Sequence, residues 1–272
     1  MWYINLMVEG KQKVFSVLPN LLPKSDPRYQ KWKKSLEKRP PSWVIGKNKD
    51  NDSRVTKISN TMKRKHLDNF KGWRDKMIKL GKIRHTYPPF EKSGELAFLI
   101  GMVIGDGNIY VFPRTECLDI TFSGKYPKMV DYTEKIVLRL FEKKFSHTIR
   151  NGPNGGCIRG RIYQKQISSR LGVPSGKRRY TKIGVPNWIW QKRKYLTACL
   201  RGLFEAEGSY SVHLPTCTYN FQFSNRNVKI LDDVERGLKI LGYRPERRIN
   251  SVRLRKRAEA MDFKKLINFR EF

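Results

Sequence analysis

Hydrophobic positions along this chain follow two rhythms, and the rhythms recur in the same order twice. The apolar stretch Leu99-Ile-Gly-Met-Val-Ile-Gly ends in Asp106-Gly107, and Leu200-Arg-Gly-Leu-Phe-Glu-Ala ends in Glu207-Gly208. Both read as helices, the first starting at a Ser93 cap. Strict alternation follows each. Leu118, Ile120 and Phe122 oppose Asp119, Thr121 and Ser123, and Tyr219, Phe221 and Phe223 oppose Asn220, Gln222 and Ser224. Alternation with period two marks a strand with one buried and one open face. Amphipathic helices are then predicted near 127–143 and 227–241. Strands follow near 146–150, 157–163, 244–248 and 251–257, with short helices near 164–171 and 258–267. Three segments match without gaps at one offset of 101, pairing 106 with 207, 118 with 219, and 129 with 230. The spacing predicts an α+β core built from a duplicated unit, with repeats at 93–186 and 187–272, each running helix, two strands, helix, two strands, helix.

Residues 1–92 stand outside the duplication and read as a mainly helical, basic extension. The apolar start, Met1 to Glu9, is short and lacks a basic leader segment, so it reads as a strand or a docking segment. Prolines at 19, 23, 27, 40 and 41 break the first stretch around a helix near 28–38. Ser53 is a candidate cap for a helix with Val55, Ile58 and Met62 on one face. Leu67, Phe70, Trp73, Met77 and Leu80 recur at helical spacing before Gly81, which suits a helix C-cap. Residues 85–94 read as a linker into the core.

Charge narrows the class. The 272 residues carry 57 Lys and Arg against 24 Asp and Glu, a net +33, with 39% hydrophobic residues. The excess is spread through both the extension and the core, which points to a polyanionic partner, most simply nucleic acid. Four cysteines, at 117, 157, 199 and 217, have no paired spacing, so a zinc or redox motif is not expected. The histidines at 66, 85, 147 and 213 are equally scattered, which disfavours a histidine–metal site. No apolar run has the length of a membrane span.

The two motif helices carry the candidate chemistry. Gly101 and Gly105 lie four apart on one face, and Ala198, Gly202 and Ala206 repeat that stripe of small residues. Interaxial distance follows side-chain size, so such faces allow close packing. Glycine inside a helix costs roughly 1 kcal/mol, which implies a packing need. Asp106 and Glu207 each sit at a helix C-terminus, where a carboxylate meets the negative end of the dipole at a cost of roughly 0.3–1 kcal/mol. Packing the stripes together brings the two acids to one place and adds repulsion. A divalent cation relieves both terms, and Mg²⁺ favours one or two carboxylates with phosphate oxygens and water. Two such ions about 4 Å apart can activate water and stabilise a leaving oxygen in phosphodiester hydrolysis.

These motifs resemble those of the LAGLIDADG homing endonucleases in their single-chain, two-motif form, over about residues 94–270. The stretches Leu171-Gly-Val-Pro-Ser-Gly-Lys177 and Ile183-Gly-Val-Pro-Asn-Trp-Ile189 resemble the segment between the family's motifs. The resemblance implies two pseudo-symmetric αββαββα halves whose saddle-shaped antiparallel sheets lie on the DNA major groove. It implies Asp106 and Glu207 as the metal-holding catalytic acids, with the backbone of Gly105 and Ala206 beside the metal and Lys177 as a supporting base. Mg²⁺ is the expected cofactor, with Mn²⁺ or Ca²⁺ as substitutes and Ca²⁺ non-catalytic.

Candidate DNA contacts are Asp119, Thr121, Ser123, Lys125, Arg159 and Arg161 in the first half. Asn220, Gln222, Ser224, Asn225, Arg226, Arg253 and Arg255 are those of the second. The position that often orients water in the family is Gly124 in one half and Asn225 in the other, an asymmetry. The expected activity is site-specific cleavage of double-stranded DNA at a long asymmetric site, by a monomer, as in intron homing. It is expected in a cytoplasm or an organelle, not outside the cell. A non-cleaving binder on the same fold, acting as an intron-splicing maturase on group I intron RNA or as a transcription regulator, is the alternative.

Overall fold

The computed structural model describes residues 23–38, 40, 42–68, 70–82, 84, 86–152, 156–176 and 183–271, and the backbone of 3–8 and 11–16. It divides into two compact units, 1–80 and 81–272. The boundary falls twelve residues before the expected one. Within the expected linker, residues 87–90 are held against the rest of the second unit. The Tyr87 backbone N–H donates to Gln166 Oε1 at 2.9 Å, and Arg170 Nε donates to the Pro88 carbonyl at 2.8 Å. The Arg170 guanidinium also stacks 3.7 Å from the Phe90 ring centroid, and Phe90 meets Phe141 edge to face.

The first unit opens with an antiparallel hairpin, β1 (Tyr3–Val8) and β2 (Lys11–Ser16), so the extension is not helical throughout. Three helices follow: α1 (Pro27–Glu37), α2 (Ser53–Arg64) and α3 (Lys71–Lys79). Asp52, not Ser53, caps α2, because its carboxylate accepts the backbone N–H groups of Arg54 and Val55. Gly81 takes the left-handed conformation expected past a helix end (φ +66°). No residue of the three helices is buried. Trp43, Phe70 and Trp73 are about half exposed or more.

The second unit holds the core. Its first half runs α4 (Gly94–Asp106), β3 (Gly107–Phe112), β4 (Thr115–Ser123), α5 (Pro127–Phe141), β5 (Ser146–Arg150), β6 (Cys157–Gln164) and α6 (Ile167–Leu171). Its second runs α7 (Arg193–Glu207), β7 (Gly208–His213), β8 (Thr218–Ser224), α8 (Val228–Ile240), β9 (Glu246–Arg248), β10 (Ser251–Leu254) and α9 (Arg257–Leu266). The two antiparallel sheets have equivalent orders, β3-β4-β6-β5 and β7-β8-β10-β9. The predicted αββαββα plan is therefore present twice. β10 ends at Leu254, so Arg255 lies beyond the strand it was expected to extend. No helix of the described residues is long and apolar enough to cross a membrane.

One face of each sheet lies under the helices, with Leu118, Ile120, Phe122, Phe221 and Phe223 no more than 1% exposed. The centre of the unit is the α4–α7 pair. Ten successive residues of α4, Leu96 to Gly105, are buried, so this helix has no solvent face along most of its length. A methyl group on Gly101 would lie 2.2 Å from the Cys199 carbonyl oxygen, and one on Gly202 would lie 2.1 Å from that of Phe98. At both places backbone packs on backbone, which only glycine permits.

Towards the acids the contact changes to one between side chains. A methyl on Gly105 would sit 2.3 Å from Ala206 Cβ. Gly105→Ala is expected to destabilise the chain by about 1–3 kcal/mol, the usual cost of overpacking. Gly105→Ala/Ala206→Gly is expected to regain most of that loss. Urea denaturation of both variants checks it, and a double variant no more stable than the single one refutes the contact.

Candidate active site and nucleic-acid face

The site begins where α4 and α7 turn directly into strands. Gly107 and Gly208 take extended backbone angles and start β3 and β7 with no intervening loop. A side chain at either would strike its own helix, at 2.7 Å from Val103 Cα for Gly107 and 2.3 Å from the Phe204 carbonyl oxygen for Gly208. The acid–glycine pair thus has a steric cause: the glycine lets the chain leave the helix sharply, and the acid occupies the last helical position. The Gly105–Ala206 contact brings these two ends together, with Glu207 Cγ 3.7 Å from where a Gly105 side chain would begin. Asp106 and Glu207 are both partly exposed.

The surroundings of the two acids differ. Asn225, in the loop after β8, donates from Nδ2 to Glu207 Oε1 at 3.4 Å. Its own Oδ1 accepts the Asn227 backbone N–H at 2.8 Å, which fixes the amide. The corresponding loop after β4 has the same backbone anchor: Gly124 N–H donates to Gly156 as Asn225 N–H donates to Asn250. Gly124 has no side chain to offer. Lys177 lies outside the described residues.

Two further groups near the end of α7 were not legible in the sequence. Arg270 donates from Nη2 to the Gly208 carbonyl at 3.3 Å, bonds the Tyr126 hydroxyl through Nη1, and stacks 4.3 Å from that ring's centroid. It therefore ties the end of the second half to the start of α5 in the first. Its backbone N–H donates to Glu205 Oε1 at 2.6 Å, and Arg270 itself has a left-handed backbone (φ +58°). Glu205 is 4% exposed, and Oε2 has no hydrogen-bond partner among the described residues. Burial pushes its pKa up to about 7, against the pull of the Arg270 N–H and the charges of Arg201 and Arg270. The position one repeat earlier is Ile104, fully buried and apolar. The acid thus costs the second half core stability and holds its C-terminal turn.

The outer faces of the sheets carry the predicted contact residues. Thr121 is partly exposed and Ser123 exposed, while Lys125 and Arg226 are exposed in the loops that follow. Asn220, Gln222 and Ser224 are partly exposed, with Gln222 Nε2 donating to Ser224 Oγ at 2.8 Å. Asp119 departs from the expectation of an open acceptor. It is 4% exposed, and its carboxylate binds both Arg159 and Arg161. Arg253 is bound by Glu246 through two hydrogen bonds, at 3.0 and 2.9 Å. Arg255 is exposed beyond β10.

Among the described residues, no group of three or more His, Cys, Asp or Glu could hold a metal. A metal at the convergence point would have the Asp106 and Glu207 carboxylates as its side-chain donors, with main-chain carbonyls or water as the remaining oxygens. That hard-oxygen set fits Mg²⁺ or Ca²⁺ and not zinc, which prefers nitrogen and sulfur.

No family model matches the chain, and no curated protein matches it. Solved structures do. The structure of I-DmoI in complex with DNA and Mn is 18% identical, covering 64% of this chain and 96% of its own, with a TM-score of 0.44. The N-terminal LAGLIDADG domain of DUF199/WhiA is 15% identical over 68% of this chain and 91% of its own, with a TM-score of 0.47. The LAGLIDADG meganuclease I-AabMI bound to uncleaved DNA is 12% identical over 64% and 83%, with a TM-score of 0.40. The duplicated αββαββα plan, joined through glycine-bearing helices that each end in an acid, decides the fold. The 81–272 core is a duplicated αββαββα fold. In this core, the acids, Asn225 and Arg270 gather at the ends of the paired helices, and the polar and basic positions lie on the outer sheet faces.

Proposed function

We propose that the protein is a divalent-metal-dependent, site-specific endonuclease of double-stranded DNA that acts as a monomer. The observation that carries this is the convergence of Asp106 and Glu207 at the end of the α4–α7 contact where Gly105 meets Ala206. Two like charges are held there against both helix dipoles, an arrangement that favours a bound cation. One chain supplies both acids, so no second copy is needed to complete the pair. The net charge of +33 and the two polar sheet faces supply the means of holding a duplex.

In this reading Asp106 and Glu207 hold the metal, with Mg²⁺ as the physiological ion and the Gly105 and Ala206 carbonyls beside it. The ion supplies an activated water and charge neutralisation at the scissile phosphate. Asn225 fixes the orientation of the Glu207 carboxylate and offers a donor that Gly124 cannot. Arg270 places a permanent cation beside the residue after Glu207, so the second half has a basic group from its own C-terminal turn. The sheets set the register of the duplex, and the acids act on whatever phosphates that register presents.

The first unit reads as an accessory DNA-contacting module. Residues 23–80 carry 18 Lys and Arg against 6 Asp and Glu, with exposed Trp43, Phe70 and Trp73 among them.

The test uses a duplex selected from a randomised library by the full chain. With that site in a supercoiled plasmid and Mg²⁺ present, the wild-type chain is expected to cut both strands. Asp106→Asn and Glu207→Gln are expected to abolish double-strand cleavage while leaving affinity within about tenfold, or 1.4 kcal/mol. Cutting by the doubly substituted chain refutes the assignment. Binding without cutting by the wild type favours the maturase or regulator reading instead.

Nicking is expected to be unequal, because Asn225 offers Glu207 a side-chain amide where the corresponding first-half position is Gly124. A reacting group displaced by about 1 Å costs on the order of a hundredfold in rate. An open-circular intermediate is therefore expected under single-turnover conditions, and Asn225→Ala is expected to change the rate on one strand more than on the other. Direct passage from supercoiled to linear plasmid contradicts this.

A chain starting at Gly81 is expected to show a flatter dependence of log K on log salt, by about 0.9 for each phosphate that residues 1–80 would otherwise neutralise. An unchanged slope means that residues 1–80 make no phosphate contacts.

A further inference from the structure

Asp119, Arg159 and Arg161 form a unit that the sequence pattern alone does not reveal. β6 places the two arginines two residues apart, on one face of the sheet. β4 pairs with it so that Asp119 lies across from Arg161, and Thr121 across from Arg159. Asp119 Oδ2 accepts Arg161 Nε at 2.9 Å, and Oδ1 accepts Arg159 Nε at 3.2 Å. Oδ2 also accepts Arg159 Nη2. The carboxylate is 4% exposed, while the arginines keep 23% and 30% of their side-chain surface. Two cations on one anion leave a net positive charge at the surface.

The chemistry of this arrangement is specific. Both guanidinium groups are anchored through Nε, which leaves the Nη1–Nη2 edge of Arg161 as a pair of parallel donors, while Arg159 also gives Nη2 to Asp119 and keeps its outward Nη hydrogens for a partner. The Tyr110 hydroxyl lies beside Arg159, and the Nη groups of Arg161 have no acceptor among the described residues. Such a fork matches the O6 and N7 acceptors of guanine in the major groove. An anchored fork is set before DNA arrives, so little side-chain freedom is lost on contact. A lysine or a mobile arginine would serve equally well for phosphate, and it would need no buried acid.

The second half does not repeat the unit at the equivalent positions. The position 101 residues after Asp119 is Asn220, whose buried Oδ1 has no partner among the described residues. Arg253, opposite Gln222, is held by Glu246 on the neighbouring β9 strand. Glu246 also accepts Arg248 Nε at 3.3 Å, so a carboxylate on the second sheet likewise holds two arginines, but from a different strand and register than Asp119.

We propose that Arg159 and Arg161 are guanine-reading residues of the first half, with Asp119 as their positioning acid, so that the bound DNA half-site carries two guanines within three consecutive base pairs. The proposal rests on the reading of this chain as a DNA binder. The spacing follows from the strand: two residues advance about 6.6 Å, close to two base-pair steps of about 3.4 Å.

The experiment selects duplexes from a fully randomised library with the full chain in Ca²⁺, and repeats the selection with Arg161→Gln, Arg159→Gln and Asp119→Asn. The wild type is expected to enrich a site with the guanine pair in one half. Each arginine variant is expected to lose on the order of tenfold preference at one guanine, with the other positions of the site unchanged. Asp119→Asn is expected to relax both guanines while total affinity stays within a few-fold, which a merely structural loss would not produce. The arginines are partly exposed, so their variants test the proposal even where Asp119→Asn fails to fold. An enriched site whose base profile is the same in both arginine variants overturns the proposal and leaves DNA binding standing. No enriched site with the wild type overturns the DNA-binding reading as well.

Discussion

The whole core hangs on the distance between α4 and α7. At Gly101 and Gly202 each helix meets the other's backbone with no side chain between them. Dispersion between so many atoms at contact distance is individually small and collectively large, and it falls away quickly when a gap opens. α4 commits ten buried residues in succession to this position. Each helix also leads straight into the first strand of its own sheet, through Gly107 or Gly208. The helix separation therefore sets where the two sheets begin relative to one another. It sets the distance between the two acids by the same contact.

That coupling explains why unfavourable electrostatics survive at the centre of a stable contact. Asp106 and Glu207 each sit at the negative end of a helix dipole, at a cost of roughly 0.3–1 kcal/mol apiece before they repel one another. The buried apolar surface of the pair is large enough to carry that cost. Glu205 is a second local cost on the same helix, where the first half has Ile104. Its carboxylate accepts the Arg270 N–H and so holds a C-terminal turn whose left-handed residues, Asn268 and Arg270, are otherwise strained. The second half has accepted a buried acid and two unfavourable backbone conformations, and the Arg270 guanidinium sits beside the end of α7 as a result.

What the sequence made legible and what it did not divide along contact range. The repeats, the small-residue stripe and the two acids are local patterns, each readable within one helix or one strand and then reinforced by recurrence at a fixed offset. The buried face of each sheet followed from alternation, as at Leu118, Ile120 and Phe122. Arg270 and Tyr126 are 144 residues apart, and Glu205 and Arg270 are 65 apart, so no local pattern marks them. Asp119 departs from expectation for a related reason. Alternation places it on the open face correctly, but two arginines from the next strand bury it there. The cap of α2 is a local miss: Asp52 outcompetes Ser53 because its carboxylate reaches two backbone N–H groups.

The two units show opposite ways of satisfying a chain. The core buries its apolar residues internally and holds its charge in anchored groups, such as the Asp119 pair and the Glu246–Arg253 fork. No residue of the first unit's helices is fully buried, and Ile58 and Trp73 on them, with Leu67, Phe70 and Leu80 beside them, remain about half exposed or more. Hydrophobic burial is the main favourable term in folding, so helices of 9 to 12 residues without it are marginal by themselves. Their charge repels as well. Both deficits are relieved by the same thing, a polyanionic surface that neutralises the lysines and covers the aromatic side chains.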